Sequence, residues 1–196
     1  MAVDKYLTQA LLEAAGLPVP PTWTGQSANE ALAAFDILGG DVVVKPLFGS
    51  EGRGLVRISD KELAWRAFHA LDRMGSVLYL QRVVRHPGHD LRIFVLCGSV
   101  RGVMRRYASP GEWRANVSLG GRAESCRLDP EAERLALAAA GAVGAELAGV
   151  DLMYDLDRGC LVVIEVNAVP GWRALASVTG IDIAAEILSA LKESRR

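Results

Sequence analysis

Glu165 and Asn167 stand two residues apart near the end of an apolar run, Leu161-Val162-Val163-Ile164-Glu165-Val166-Asn167, and Pro170-Gly171 closes the stretch. A short apolar run bounded by Pro-Gly reads as a buried strand. Side chains two apart on a strand share a face, so the acid and the amide point one way while Ile164 and Val166 point into a core. Side by side they offer oxygen donors to a hard cation such as Mg²⁺, which keeps several waters and shares its other positions with phosphates. Upstream, Gly149-Val150-Asp151-Leu152-Met153 reads as another strand, with a turn at Asp157-Arg158-Gly159. Paired as a hairpin, the two strands bring Asp151 beside Glu165. The plainer alternative is a turn acid and a strand-end pair facing water, and these residues alone leave both readings open.

Two further groups carry chemistry. Gly49-Ser50-Glu51-Gly52-Arg53-Gly54 follows a buried strand, Asp41-Val42-Val43-Val44-Lys45-Pro46. Small residues let backbone amides approach a phosphate, and Lys45 adds a charge just upstream. The loop is not a P-loop, because Leu55 and not lysine follows Gly54, and it lacks the dinucleotide fingerprint. A plain hairpin connection with a surface lysine is the competing reading. Arg92, Arg105, Arg106 and Arg114 cluster in mid-chain, with Asn116 two residues beyond Arg114. Arginine grips carboxylates and phosphates at two points; for Arg105 a solvated strand face is the better reading. There is no Gly-x-Ser-x-Gly elbow and no locally supported Cys–His pair, which argues against covalent catalysis by a protein nucleophile.

The elements that hold these residues follow from periodicity and caps. Residues 5–15 form an apolar-periodic helix that Gly16 ends. Ser27 with Glu30 opens a helix to Leu38, and Ser59 with Glu62 opens one to about Arg73, both as capping boxes. Strands are predicted over residues 55–58 and 77–84, then over 90–97 and 100–107, joined at Gly98-Ser99. Asp90, Arg92 and Phe94 share a face of the first strand of that pair. Residues 108–122 read as loop. Asp129-Pro130 opens an Ala-rich helix to about Leu147. Residues 171–180 read as irregular, and 181–192 as an amphipathic helix with Ile183, Ile187 and Leu191 on one side. Strands, hairpins and helices mix without strict alternation, which makes the class α+β or mixed α/β.

Composition sets the bounds. The formal net charge of −1 over 196 residues gives no basic excess for nucleic acid. No apolar run is long enough to span a membrane, and residues 1–5 lack the pattern of a signal peptide. Cys97, Cys126 and Cys160 are scattered, so they read as reduced thiols of a cytoplasmic protein. His69, His86 and His89 show no zinc spacing.

Taken in order, these stretches resemble the ATP-grasp superfamily, and within it the RimK-type α-L-glutamate ligase family. Asp4-Lys5, Leu17-Pro18-Val19-Pro20-Pro21, Val44-Lys45-Pro46 with the Gly49 to Gly54 loop, and Asp90-Leu91-Arg92 are similar to that family's motifs. So are Arg114-Ala115-Asn116, Gly149-Val150-Asp151, Glu165-Val166-Asn167 and Thr179-Gly180-Ile181-Asp182. The likeness spans nearly the whole chain and implies an α+β ATP-grasp fold, residues 1–196, in which two α+β lobes clamp ATP between them. Residues 17–84 would form the small nucleotide lobe, and 1–16 with 85–196 the larger metal and substrate lobe. By this resemblance the chain is expected to correspond to the family's ATP-grasp portion, with the usual amino-terminal domain absent from it.

Carried over by position, Lys5 and Lys45 contact phosphates together with Gly49, Ser50, Gly52 and Gly54. Gln81, Arg82, Val83 and Val84 line adenine through backbone groups, and Asp90 reaches the ribose. Arg92, Arg106 and Arg114 are the catalytic candidates, with Asn116 beside Arg114 on phosphate and acyl oxygens. Asp151, Glu165 and Asn167 hold Mg²⁺ or Mn²⁺. The hinge departs from the family in lacking an acid and an aromatic after Gln81, and Leu119 stands where an arginine is common. The implied activity is ATP-dependent ligation of a carboxylate to an amine through an acyl phosphate, adding glutamate or a similar amino acid. The implied partners are a small-molecule or peptide carboxyl acceptor and an amino-acid donor, with neither nucleic acid nor membrane, and with room for a homo-oligomer. The alternatives are a nucleotide-binding module that needs a partner domain and a carboxylate kinase.

Overall fold

The run Val42-Val43-Val44 is apolar on both sides of the backbone, and it lies inside a sheet. In the computed structural model, which describes residues 4–49, 54–112, 114–115 and 120–193, the chain divides into two compact units. The first comprises Asp4–Tyr6 and Pro20–Val84. Its antiparallel sheet has the order β1 (Thr22–Gly25), β4 (Leu78–Arg82), β2 (Val42–Lys45), β3 (Val56–Ile58). Two helices, α2 (Ala28–Ile37) and α3 (Lys61–Arg73), supply the rest of its core. Ala31, Phe35, Ala64 and Phe68 from the helices pack with Val42, Val44, Ile58, Leu78 and Leu80 from the strands. Phe35 and Phe68 meet edge-on with ring centroids 6.3 Å apart, the geometry that the aromatic quadrupole favours.

Ser27 caps α2 as expected, its hydroxyl accepting from the Glu30 amide at 3.4 Å. The cap of α3 is Asp60 and not Ser59. The Asp60 carboxylate accepts from the Leu63 amide at 2.7 Å. A full negative charge at a helix N-terminus is favoured by the helix dipole as well as by the hydrogen bond, and the helix starts one residue later for that reason.

The second unit comprises Leu7–Val19 and Arg85–Arg196. Its antiparallel sheet has the order β7 (Arg122–Ser125), β6 (Ser99–Tyr107), β5 (His89–Leu96), β8 (Leu147–Asp155), β9 (Cys160–Asn167). One face carries Ile93, Val95, Val150, Leu152, Val163 and Val166. These pack with Leu12 of α1 (Lys5–Ala14) and with Ala132, Leu135, Ala136 and Ala139 of α4 (Pro130–Ala142). On the other face Phe94, Leu96 and Met104 pack with Leu175 of α5 (Arg173–Thr179) and Ile183 of α6 (Ile183–Glu193). That apolar patch covers only part of the second face, and the remainder is polar.

Several boundaries differ from expectation. The β5–β6 turn is Cys97-Gly98, with φ of 48° and 71°. A two-residue turn that follows the strand twist needs positive φ at both positions, and the Leu96↔Ser99 pairing leaves only these two residues outside the ladder. Residues 122–125 form a strand that lacks apolar alternation. It is an edge strand, held by pairing with β6 and by Tyr107, whose hydroxyl donates to Glu124 at 2.6 Å. Helix α4 stops at Ala142, and Gly144 turns the chain at φ 64° so that Leu147 enters β8. A short helix, α5, occupies most of residues 171–180. In α6, Ile183 and Ile187 pack inward, while Leu191 remains 54% exposed. Ile164 is not part of the core, because a bulge displaces it.

The core of the first unit can be probed against its own surface. Phe68→Ala removes a fully buried ring and is expected to lower stability by about 3–5 kcal/mol. Ile37→Ala, at a position 85% exposed, is expected to change it by less than about 0.5 kcal/mol. Urea midpoints of the two variants measure the contrast.

Candidate active site on the polar face of the five-stranded sheet

The polar part of the second face is assembled by register. Asp90 on β5 lies opposite Arg106 on β6, and Arg92 lies opposite Asp151 on β8. Across the next ladder Asp151 faces Glu165 and Gly149 faces Asn167. Val150 and Val166, one residue along, pack into the core on the opposite face. The three oxygen-bearing residues proposed from sequence therefore share one face of neighbouring strands. Glu165 reaches it through a bulge between Asp151 and Leu152, where Ile164 and Glu165 together span one position of β8.

The charges are tightly engaged. The Arg92 guanidinium forks onto Asp151, Nε to Oδ1 and Nη2 to Oδ2, the latter at 2.7 Å. Arg106 forks onto Asp90 at 2.8 and 2.7 Å. Its Nη2 also lies 2.9 Å from Asp151 Oδ2. Two arginines thus serve two buried carboxylates. Burial and paired charge set the protonation of this group. Burial pushes the Asp90 carboxyl up from its ordinary 3.8 to about 6, because Arg106 only partly offsets the desolvation and the Asp151 charge adds to it. Burial also works to raise Asp151, but Arg106 and Arg92 outweigh it and hold that carboxyl below its ordinary value. Arg106 is raised: burial opposes its charge, yet Asp151 and Asp90 more than compensate.

Gly149 makes room for this packing, which sequence reasoning had not singled out. A Cβ there would lie 2.7 Å from the Pro170 Cβ and 3.3 Å from the Arg92 Cδ. The bare backbone lets the Arg92 stem and Pro170 sit over the strand. The sequence signal is the pair itself, a glycine two residues before Asp151 and a proline three after Asn167.

The remaining predicted residues fall elsewhere. Arg114 grips Glu112, Nε to Oε1 at 2.9 Å and Nη2 to Oε2 at 2.7 Å. In the first unit, Lys45 Nζ donates to Gln81 Oε1 at 2.6 Å, and Gln81 Nε2 donates to Thr22 Oγ1 at 3.1 Å. Lys5 Nζ donates to the Gly49 carbonyl at 2.9 Å, at the start of the glycine loop that Gly54 ends. The Arg82 and Val83 amides donate to the Pro21 and Asp41 carbonyls at 2.9 and 3.0 Å. Ser50, Gly52 and Asn116 lie outside the described residues.

Asn167 Oδ1 accepts from the Val169 amide at 2.9 Å, a local turn that fixes the amide plane. Among the described residues no three His, Cys, Asp or Glu side chains converge as a metal cluster. The donor set is instead two carboxylates and one amide oxygen on a common face, a chemistry that fits a hard cation.

A four-stranded and a five-stranded antiparallel sheet, each packed with helices, define the protein as one with the ATP-grasp fold. The structure of an ATP-grasp ligase, PsnB, complexed with a minimal precursor, Mg and ADP superposes with a TM-score of 0.80. That match is 23% identical and covers 99% of this chain and 59% of that one. The D-cycloserine synthetase DcsG superposes with a TM-score of 0.77 at 25% identity, covering all of this chain and 71% of that one. The chain belongs to the RimK-like ATP-grasp domain family, which matches residues 2–191. The tetrahydromethanopterin:alpha-L-glutamate ligase of Methanococcus maripaludis is 36% identical over 192 residues. That alignment takes in 95% of this chain but 64% of the relative's length.

Two measurements test the site's packing and charge. Gly149→Ala is expected to destabilise the protein by about 1–3 kcal/mol through overpacking, read from thermal unfolding. The Asp90 carboxyl is expected to titrate near 6 by carbon NMR. Its folded value exceeds the unfolded one, so the stability it contributes is fully present below pH 3.8 and lost as pH rises through about 6. Asp151 has the opposite sign. Its contribution is present above its unfolded value and lost as pH falls through the folded one.

Proposed function

We propose that this chain is the ATP-dependent portion of a carboxylate–amine ligase that joins glutamate or a similar amino acid to a carboxyl acceptor. The observation that carries the reading is the row Asp151–Glu165–Asn167 on one sheet face, set against the buried Arg106 and the half-buried Arg92. Membership of the RimK-like family supports it. So does the name of the methanogen relative, an alpha-L-glutamate ligase. The acceptor class is a small molecule or peptide that presents a carboxylate.

In this reading Asp151, Glu165 and Asn167 would hold Mg²⁺. Bound there, the ion would neutralise charge on the transferring phosphoryl group and orient it. Lys45 and Lys5 bind phosphate oxygens. Lys45 is held ready by Gln81, whose other end is fixed on Thr22. The acceptor carboxylate attacks the γ-phosphorus of ATP, giving an acyl phosphate and ADP. The amine of the amino acid then attacks the acyl carbon, phosphate leaves and an amide forms. Arg92 and Arg106 keep positive charge beside the oxygen-donor row, where the reaction gathers negative charge. No side chain acts as nucleophile. Cys97, Cys126 and Cys160 are free thiols, and no single helix among the described residues is long and apolar enough to cross a membrane. The free thiols support a reducing, cytoplasmic setting.

Release of ADP from the purified protein, screened with acids and amines, tests the reaction. Release that requires both substrates is expected, whereas release with acid alone would mean a carboxylate kinase. Glu165→Ala is expected to abolish that release while leaving the circular dichroism spectrum unchanged; retained turnover would remove Glu165 from the metal site. Lys45→Ala is expected to weaken nucleotide binding at least about tenfold, as loss of a charge-assisted hydrogen bond does, and calorimetry reads the change.

A further inference from the structure

The four-stranded sheet turns Val42, Val44, Leu78 and Leu80 towards the helices, so the residues between them face the other way. Register puts Thr22, Gln81 and Val43 side by side on that second face, on β1, β4 and β2. Lys45 lies two residues beyond Val43 and diagonal to Gln81, a spacing that long side chains bridge. Three hydrogen bonds then run in one direction. Lys45 Nζ donates to Gln81 Oε1 at 2.6 Å, Gln81 Nε2 donates to Thr22 Oγ1 at 3.1 Å, and Thr22 Oγ1 donates to the Pro20 carbonyl at 2.9 Å.

Both ends of this row are fixed. An ammonium can only donate, and a carbonyl can only accept. Pro21 restricts the Pro20 backbone before it to an extended conformation, which sets the direction of that carbonyl. With its proton on Pro20, the Thr22 hydroxyl offers Gln81 only lone pairs. The amide must then turn its NH2 to Thr22 and its oxygen to Lys45. Reversed, it would set donor against donor at Lys45 and acceptor against acceptor at Thr22. Gln81 is 3% exposed, and a buried amide that loses a partner bears the cost of its desolvation. Without the Thr22 hydroxyl the NH2 end loses the acceptor that holds it, and the amide is released to turn from Lys45.

We propose that Thr22 is a positioning residue for Lys45, acting through Gln81, and that the relay requires a neutral amide at position 81. The inference rests on the reading of Lys45 as a phosphate ligand. A neutral oxygen engages the ammonium without cancelling its charge, and that charge is what a phosphate answers to. A glutamate at position 81 would also accept from Lys45. It would oppose the incoming phosphate with a charge of the same sign, and it has no proton for Thr22.

The test is the affinity for ADP with Mg²⁺, read by calorimetry on the purified protein. Thr22→Val, which keeps the shape and removes the hydroxyl, is expected to weaken ADP binding about three- to tenfold, the worth of one hydrogen bond. Thr22→Ser, which restores the hydroxyl, is expected to recover most of that loss. In the Lys45→Ala background Thr22→Val is expected to cost nothing further, because a residue that acts through the lysine has nothing left to act on. Gln81→Glu is expected to weaken ADP binding although Lys45 keeps an acceptor, and it carries the test if Thr22→Val fails to fold. Unchanged affinity in Thr22→Val overturns the proposal, as does a loss equally large in the Lys45→Ala background. So does a Thr22→Ser protein that binds no better than Thr22→Val, and so does equal or tighter binding by Gln81→Glu. Lys45→Ala separates the two levels. If it binds ADP as the unaltered protein does, Lys45 is no phosphate ligand and the proposal falls with that reading. If it loses affinity while Thr22→Val does not, only the relay falls.

Discussion

Four charges on one face of a sheet, Asp90, Arg106, Asp151 and Arg92, are bonded to each other and largely withdrawn from water. A buried charge is tolerated only when its desolvation is matched by partners in good geometry, and this constraint governs the larger unit. The carboxylates sit on β5 and β8, the arginines on β6 and β5. Holding them together requires the strand order β6-β5-β8 and a fixed register on both sides of β5. The apolar face beneath supplies that fixed register: Ile93, Val95, Val150 and Leu152 pack under α4, and a slip of one residue would turn them outward.

The same sheet divides its second face by polarity. Phe94, Leu96 and Met104 extend the rows that begin with Asp90, Arg92 and Arg106, and α5 and α6 cover them. A strand can therefore be core at one end and carry paired charges at the other without changing its alternation. Gly102 and Gly149 mark places where another group comes close. A Cβ on Gly102 would press on Leu175 at 3.2 Å, and one on Gly149 would collide with Pro170. Apolar packing at the covered end and the ion-paired charges at the other are built from one pleat.

Polarity is also economical in the smaller unit. Lys45 leaves the end of a buried valine strand, where an unpartnered ammonium would be costly. Gln81, on the neighbouring strand, accepts from it and is in turn anchored on Thr22. The lysine is placed before any ligand is present, and in the phosphate-binding role proposed for it that placement would lower the entropy lost on binding.

Much of this was legible in the residues. Period-two alternation identified β5 and the shared face of Asp90, Arg92 and Phe94. The turn at residues 157–159 and the caps at Ser27 and Asp129 follow from local hydrogen-bond chemistry. The order of motifs was enough for the family. What the residues could not supply is the register across the ladders. Counted outward from the Cys97-Gly98 turn, Asp90 would face Arg105; an irregularity between Phe94 and Val95 moves it to Arg106. Counted from the 157–159 turn, Asp151 would face Ile164; the bulge moves it to Glu165 and turns that carboxylate onto the same face. Each shift adds one residue to one strand, and local preference barely distinguishes the shifted ladder from the unshifted one. The choice is made by what the whole sheet must bury: Val163 and Val166 both reach the core only if a residue between them is extruded, and Arg106 rather than Arg105 finds two buried carboxylates to satisfy.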